Sequence, residues 1–340
     1  MNTHLCKHAS WTWESDAAMS EPFRLLERQT LVAPLGVKFW DVSTGAHVSN
    51  GLRVITYPEG HQLQYTQASP NRSGAYVLHH AWGLREFELG LRKAPFLESP
   101  PASQRYTIVV NDEKRRFLPV RFAANLPTAG FFKWSLTRPP TPFDPLDGSV
   151  PLYPSTLRTA PAGIAVLRAE LYESRPEVKN GVRILRPARW AMMETRFNGR
   201  LLGRGIADEQ GRIAVIFGYP PPPDSISFPG SPPVSGDTAR VPFLKQEWTI
   251  QLQAYYKPNV LSSPPGPLDS PRRSELNIPE LSQIFAQSPA SLFLADAETG
   301  PLTEVNLRYG PSVLVPPGST TVGSPLNPTP LSILFVSPAG

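Results

Sequence analysis

The stretch Asp208-Glu209-Gln210-Gly211-Arg212-Ile213-Ala214-Val215-Ile216-Phe217 puts a polar tight turn ending in glycine directly before a strand-like run. A polar tight turn followed by a strand is the natural reading. Ile213 to Phe217 is apolar, rich in β-branched residues and too short for a buried helix. Upstream, Ala165 to Tyr172 and Trp190 to Phe197 read as two further strands.

The same order of events occurs in the first half of the chain. Val37-Lys38-Phe39-Trp40 alternates, and Leu52 to Tyr57 is strand-like between Asn50-Gly51 and Pro58. The turn Asn71-Arg72-Ser73-Gly74 then leads into Ala75 to His79. The interval from strand centre to turn glycine is similar in the two halves, Val54 to Gly74 in one and Glu194 to Gly211 in the other. A proline-rich excursion follows each turn strand, Pro95 to Pro101 and Tyr219 to Pro233, and each returns to an aromatic-led strand, Tyr106 to Val110 and Trp248 to Leu252. Matching order and spacing at low identity predict an internal duplication.

The fold class is therefore mainly β, with two tandem sandwich-like units. Residues 1–30 form an N-terminal extension with a short amphipathic stretch, Pro22 to Gln29. Unit 1 spans 31–137, a proline-rich connector 138–163, and unit 2 164–257 with its excursion at 219–242. A C-terminal arm, 258–340, holds a short helix at Ile278 to Gln287 and strands at Ser291 to Leu294, Glu304 to Tyr309 and Leu331 to Val336. Those strands either form a small module or complete an earlier sheet.

Composition agrees with that frame. Hydrophobic residues make up 40% of the 340, enough for real cores, and charged residues only 18%, which excludes a disordered polyelectrolyte. The 41 prolines, about 12% of the chain, favour short strands joined by stiff loops. A net charge of +5 with both signs interspersed does not mark a nucleic-acid-binding face. One cysteine, Cys6, excludes an intrachain disulfide and suits a reducing compartment. The segment Met1 to Glu21 lacks an apolar signal core, and the longest apolar runs, Ile164 to Leu167 and Ile213 to Phe217, are far too short to span a bilayer. The expectation is a soluble, cytoplasmic protein.

The search for chemistry assigns no catalytic, cofactor or metal residue. No histidine is followed by Glu at a zinc-peptidase spacing, and the strand neighbours His79 and His80 point to opposite faces, one packed and one solvated. His4, Cys6 and His8 lie in an N-terminal segment read as an unstructured end. No Gly-x-Ser-x-Gly elbow occurs, and Cys6 is too near that end to be a positioned nucleophile. Gly203-Arg204-Gly205 begins like a phosphate loop, but Asp208 holds the third glycine position and the flanks are β. Asp144 and Asp147-Gly148 lack the alternate carboxylates of a calcium loop. A glycosidase-type carboxylate pair assembled by the tertiary structure is not recommended by any stretch.

Partner contacts are the stronger signal. Trp40, Trp190 and Trp248 fall within strands and are assigned to cores, whereas Trp11, Trp13, Trp82 and Trp134 lie in turn or tail positions and are candidate anchors. Arg115 and Arg116, beside Lys114, and Arg121 form a basic cluster, and arginines recur from Arg183 to Arg212. Spaced arginines on strand faces favour protein contacts over nucleic acid or anionic lipid.

The segments Asp41 to Val54 and Asn71 to His79, with Gly205 to Arg212 in the second copy, resemble a carboxypeptidase-regulatory-like (transthyretin-like) β-sandwich. That resemblance covers about half the chain and implies transthyretin/Ig-like units. Arg116 to Phe122, Pro161 to Ala169 and Asn306 to Gly310 resemble proteins of contractile injection system (phage-tail-like) clusters. This second resemblance implies a structural or accessory subunit of a large particle, near the baseplate, with no catalytic residues. The alternatives are a carbohydrate- or surface-binding β-sandwich module and a hydrolase with a tertiary carboxylate pair.

Overall fold

A computed structural model describes residues 31–89, 103–128, 130–135, 148–160, 163–174, 177–179, 182–221, 247–261, 277–294, 300–309 and 332–338. Trp11, Trp13, the His4/Cys6/His8 set, the 22–29 stretch, Asp144, Asp147, all of the first proline-rich excursion and most of the second lie outside them.

The first body contains β1 (Leu35–Val37), β2 (Phe39–Asp41), β3 (Leu52–Pro58), β4 (Thr66–Pro70) and β5 (Tyr76–Leu78). It continues with a short helix α1 (Arg85–Glu88), then β6 (Gln104–Asp112), β7 (Val120–Leu126) and β8 (Val150–Leu152). Six strands form an antiparallel sheet in the order β1-β5-β4-β3-β6-β7. β2 and β8 pair in parallel beside it. Residues 148–155, read from the sequence as connector, thus belong to this body: besides β8, Pro154 bridges Phe117. Nothing local marks that pairing, because β2 and β8 are far apart in the chain.

The second body contains β9 (Ile164–Glu173), the hairpin β10 (Glu177–Lys179) and β11 (Val182–Ile184), then β12 (Met192–Phe197), β13 (Arg200–Ile206), β14 (Arg212–Gly218) and β15 (Glu247–Tyr255). After helix α2 (Leu281–Phe285) come β16 (Pro289–Phe293), β17 (Glu304–Arg308) and β18 (Ser332–Pro338). The sheet runs β13-β12-β15-β16-β18-β9-β14, with β17 also on β15. Its two end strands meet through the Ala207↔Ile213 bridge, so the sheet curls back on itself. The strands of the C-terminal arm complete the earlier sheet.

Hydrophobic patterning accounts for the layers. β15 alternates strictly, with Trp248, Ile250, Leu252 and Ala254 buried and Glu247, Thr249 and Gln251 exposed. β14 is buried on both faces from Ile213 to Phe217, as its unbroken apolar run foretells. Gly203 and Gly205 explain how β13 closes onto β14. A Cβ on Gly203 would sit 2.8 Å from Phe217 Cβ, and one on Gly205 2.7 Å from the Ala214 carbonyl oxygen. Backbone approach, not phosphate, accounts for these two glycines.

The duplication is visible in the pairing. The order β1-β5-β4-β3-β6 of the first body corresponds to β9-β14-β13-β12-β15 of the second. Val54 of β3 faces Val110 of β6, and Glu194 of β12 faces Gln253 of β15. Asn71 Oδ1 accepts the amides of Ser73 and Ala75 at 3.0 Å each, and Asp208 Oδ1 those of Gln210 and Arg212 at 2.9 Å each. Gly74 and Gly211 both have φ +78°.

The bodies share a junction. Met193 of β12 points into the second core, while Met192, Ile206 and Trp190 pack with α2 and Ile278 against the first. Glu194 stands on that same outer face. Its carboxylate accepts Arg204 Nη2 at 2.7 Å, Arg196 Nη2 at 2.8 Å and Tyr255 OH at 3.2 Å, and the Arg204 guanidinium lies 5.4 Å from the centre of the Phe285 ring of α2. Burial works to raise the Glu194 carboxyl, but the two arginines outweigh it and hold it below its ordinary value.

Candidate docking surface

Trp82, half-exposed at 46%, sits on a loop that the buried interior holds still. The loop leaves β5 at Leu78, passes through His80 at φ +58°, and turns at Ala81–Leu84, where the Leu84 amide donates to the Ala81 carbonyl at 3.0 Å. Ala81 and Leu84 are buried, so the intervening Trp82 and Gly83 face outward. Glu88, 2% exposed at the end of α1, reaches back to accept the His80 amide at 2.9 Å and the Ala81 amide at 2.8 Å. The Tyr106 hydroxyl, from β6, donates to the Trp82 carbonyl at 2.5 Å. Burial, with Glu88 nearby, pushes the Tyr106 phenol up, so it remains a donor across the neutral range.

A second loop, between β3 and β4, lies against the first. The His61 amide donates to the Pro58 carbonyl and the Gln64 amide to the His61 carbonyl, both at 3.0 Å. The His61 ring stacks on Trp82 with centroids 5.5 Å apart, and Thr66 Oγ1 donates to the His80 carbonyl at 3.2 Å. This loop exposes Leu63 at 86% and Tyr65 at 46%. Of the large hydrophobic residues exposed among the described residues, Leu63, Tyr65 and Trp82 share these two adjoining loops. Exposed apolar side chains on two adjoining, supported loops make a surface suited to protein contact.

The other sequence candidates fall elsewhere. Trp134 is partly buried, packed on Phe122 and Phe285 at centroid distances of 6.3 and 6.4 Å. Arg121 is 5% exposed and stands inside the junction, where burial lowers its pKa, so it presents no surface contact. Arg115 is exposed at φ +55°, but Arg116 is clamped on Asp112, with Nη2 2.9 Å from Oδ1. Burial would raise the Asp112 carboxyl, yet Arg116 and the turn amides hold it below the carboxylate norm. The arginine run is likewise divided, with Arg196 and Arg204 on Glu194 and Arg212 on Asp208. His79 and His80 are both exposed, because the chain leaves the strand at Leu78 before alternation can bury either ring. Trp40, Trp190 and Trp248 are buried at 2%, 5% and 2%.

Sequence reasoning picked out Trp82 but missed His61, Leu63, Tyr65 and the supports Glu88 and Tyr106. The available signal was an isolated Leu and Tyr in the otherwise polar loop Gly60-His61-Gln62-Leu63-Gln64-Tyr65. Among the described residues, no group of three His, Cys, Asp or Glu side chains is placed to hold a metal ion, and no helix is long and apolar enough to cross a membrane. Comparison with family models, curated proteins and solved structures finds no match.

Proposed function

We propose that this chain is a non-catalytic structural or accessory subunit of a contractile injection (phage-tail-like) particle, placed at the baseplate and made in the cytoplasm, acting through protein–protein contacts. The observation that supports docking is Trp82, exposed on a loop that adjoins the one carrying Leu63 and Tyr65 yet fixed from beneath by Glu88 and Tyr106. A pre-ordered anchor loses little entropy on binding, and buried tryptophans dominate many interfaces. The particle class rests on the resemblance of Arg116 to Phe122, Pro161 to Ala169 and Asn306 to Gly310, parts of which form β7, β9 and β17.

The test is reconstitution with the sheath and tube proteins of a contractile injection particle. The wild-type chain is expected to sediment with the particle, and Trp82→Ala to lose about thirtyfold in affinity, the effect of an anchor worth about 2 kcal/mol. A Trp82→Ala chain incorporated like the wild type would refute the docking surface. Absence of the wild type from intact particles would refute the particle assignment. The stacked Trp82–His61 pair also favours a second reading, a carbohydrate platform, which a glycan array with wild-type and Trp82→Ala protein decides.

A further inference from the structure

A cleft of about 230 Å³ opens where the two bodies meet, lined by Asn111 and Pro119 of the first, Trp190 and the turn Asp208–Gln210 of the second, and Ile278. Ligand sites favour such inter-body clefts. Three observations give it a chemistry. The apolar wall is chiefly Pro119, with the edges of Trp190 and Ile278, 5% and 1% exposed, behind it. Trp190 stands there at φ +60°, a backbone conformation rare for a bulky residue, pinned by Gln287 Nε2 donating to its carbonyl at 2.8 Å.

Second, the acceptors of the turn are unequally engaged. Asp208 is occupied by the amides of Gln210 and Arg212 and by Arg212 Nε, and Gln210 Oε1 accepts from Arg212 Nη2 at 3.0 Å. Glu209, partly buried at the rim, makes no ion pair or hydrogen bond among the described residues. Third, Asn111 Nδ2 is a buried donor that meets no acceptor. Its χ2 is a broad, low-barrier torsion, so the amide can turn toward an acceptor entering the cleft.

We propose that this cleft binds a lysine or arginine side chain of a partner polypeptide. The aliphatic stem lies along Pro119 over the edges of Trp190 and Ile278, the cationic head meets Glu209, and the adjoining peptide carbonyl accepts from Asn111 Nδ2. A cleft of about 230 Å³ admits one long side chain and its peptide group but no folded element. The site is separate from the Trp82 surface and does not depend on the particle assignment.

Nα-acetyl-lysine methylamide and its arginine counterpart, titrated into the full-length ¹⁵N-labelled protein, test this. Saturable shifts are expected at the Gln210 amide and the Trp190 indole, with a Kd of about 1 mM, as suits so small a ligand. The norleucine analogue, which keeps the stem and lacks the charge, is expected to bind about tenfold more weakly. Glu209→Gln should weaken lysine binding by a similar factor while leaving the melting temperature unchanged. Equal binding of norleucine, lysine binding by Glu209→Gln at wild-type strength, or no saturable shift would each overturn the proposal.

Discussion

Gly211 is the position where a single methyl group tests both the turn and its docking. Its φ of +78° lies in the left-handed region, and an added Cβ would fall on the Leu171 carbonyl oxygen, with Pro187 Cβ 3.1 Å and Ala188 N 3.3 Å away. That oxygen already accepts the Ala188 amide at 2.8 Å, and the Gly211 carbonyl accepts the Leu171 amide at 2.8 Å. Neither strand can retreat without breaking a bond. The left-handed conformation costs a non-glycine residue about 1–2 kcal/mol, and overpacking against fixed backbone adds about 1–3 kcal/mol. Gly211→Ala is therefore expected to lose about 2–5 kcal/mol. Gly199→Ala is the control: φ is +76°, nothing lies within 4 Å of its Cβ, and only the conformational cost of about 1–2 kcal/mol applies. Gly74→Ala, the counterpart in the first body, meets only the exposed Ser49 Cβ at 3.0 Å and should fall close to the control. Urea unfolding followed by tryptophan fluorescence measures all three. Equal losses at Gly211 and Gly199 would show that the turn does not press on β9, and the reasoning would fail.

Glu88→Gln keeps one acceptor oxygen for two amides. A loss of about 1–3 kcal/mol is expected, with faster motion of Trp82 seen as lower fluorescence anisotropy at that residue; unchanged anisotropy would mean the loop is held by other contacts. Glu194→Ala leaves Arg204, 3% exposed, without its carboxylate and should cost about 3–5 kcal/mol in the same urea assay. Glu194, Asp112 and Asp41, whose carboxylate Arg158 grips through both oxygens, are all held below their ordinary values of 4.5, 3.8 and 3.8, against the opposing effect of burial. Their contribution is complete above those values and disappears as pH falls through the lower folded-state values, so stability should drop steeply below pH 3.8. A flat acid limb would contradict the buried ion pairs.

Much of the framework is legible because it is written in local chemistry. The turns Asn71 to Gly74 and Asp208 to Gly211 and the strands behind them follow from residue types and spacing alone. So do the alternation of β15 and the burial of Trp40, Trp190 and Trp248. What escapes depends on pairing at long range. Arg121 reads as part of an exposed basic cluster, yet α2, from the far end of the chain, covers it. Pro151 and Pro154 read as connector, yet the strand β8 contains one and the other bridges Phe117. The docking surface is half visible, since an exposed tryptophan can be read from a turn. The carboxylate that steadies it cannot, because a glutamate in the following helix has no sequence signature.

The parallel placement of β18 beside β9 has a consequence for biosynthesis. Leu171, near the middle of the chain, faces Leu334, almost at its end, and β18 also supplies the partner of β16. Translation at about 5–20 residues per second leaves the outer edge of β9 waiting on the order of ten to thirty seconds for its neighbour. During that interval the backbone groups of a strand whose Ala169 and Leu171 end fully buried are open to any passing strand. The second body is thus the slower half to mature, and the ribosome-bound chain is where a chaperone has most to protect.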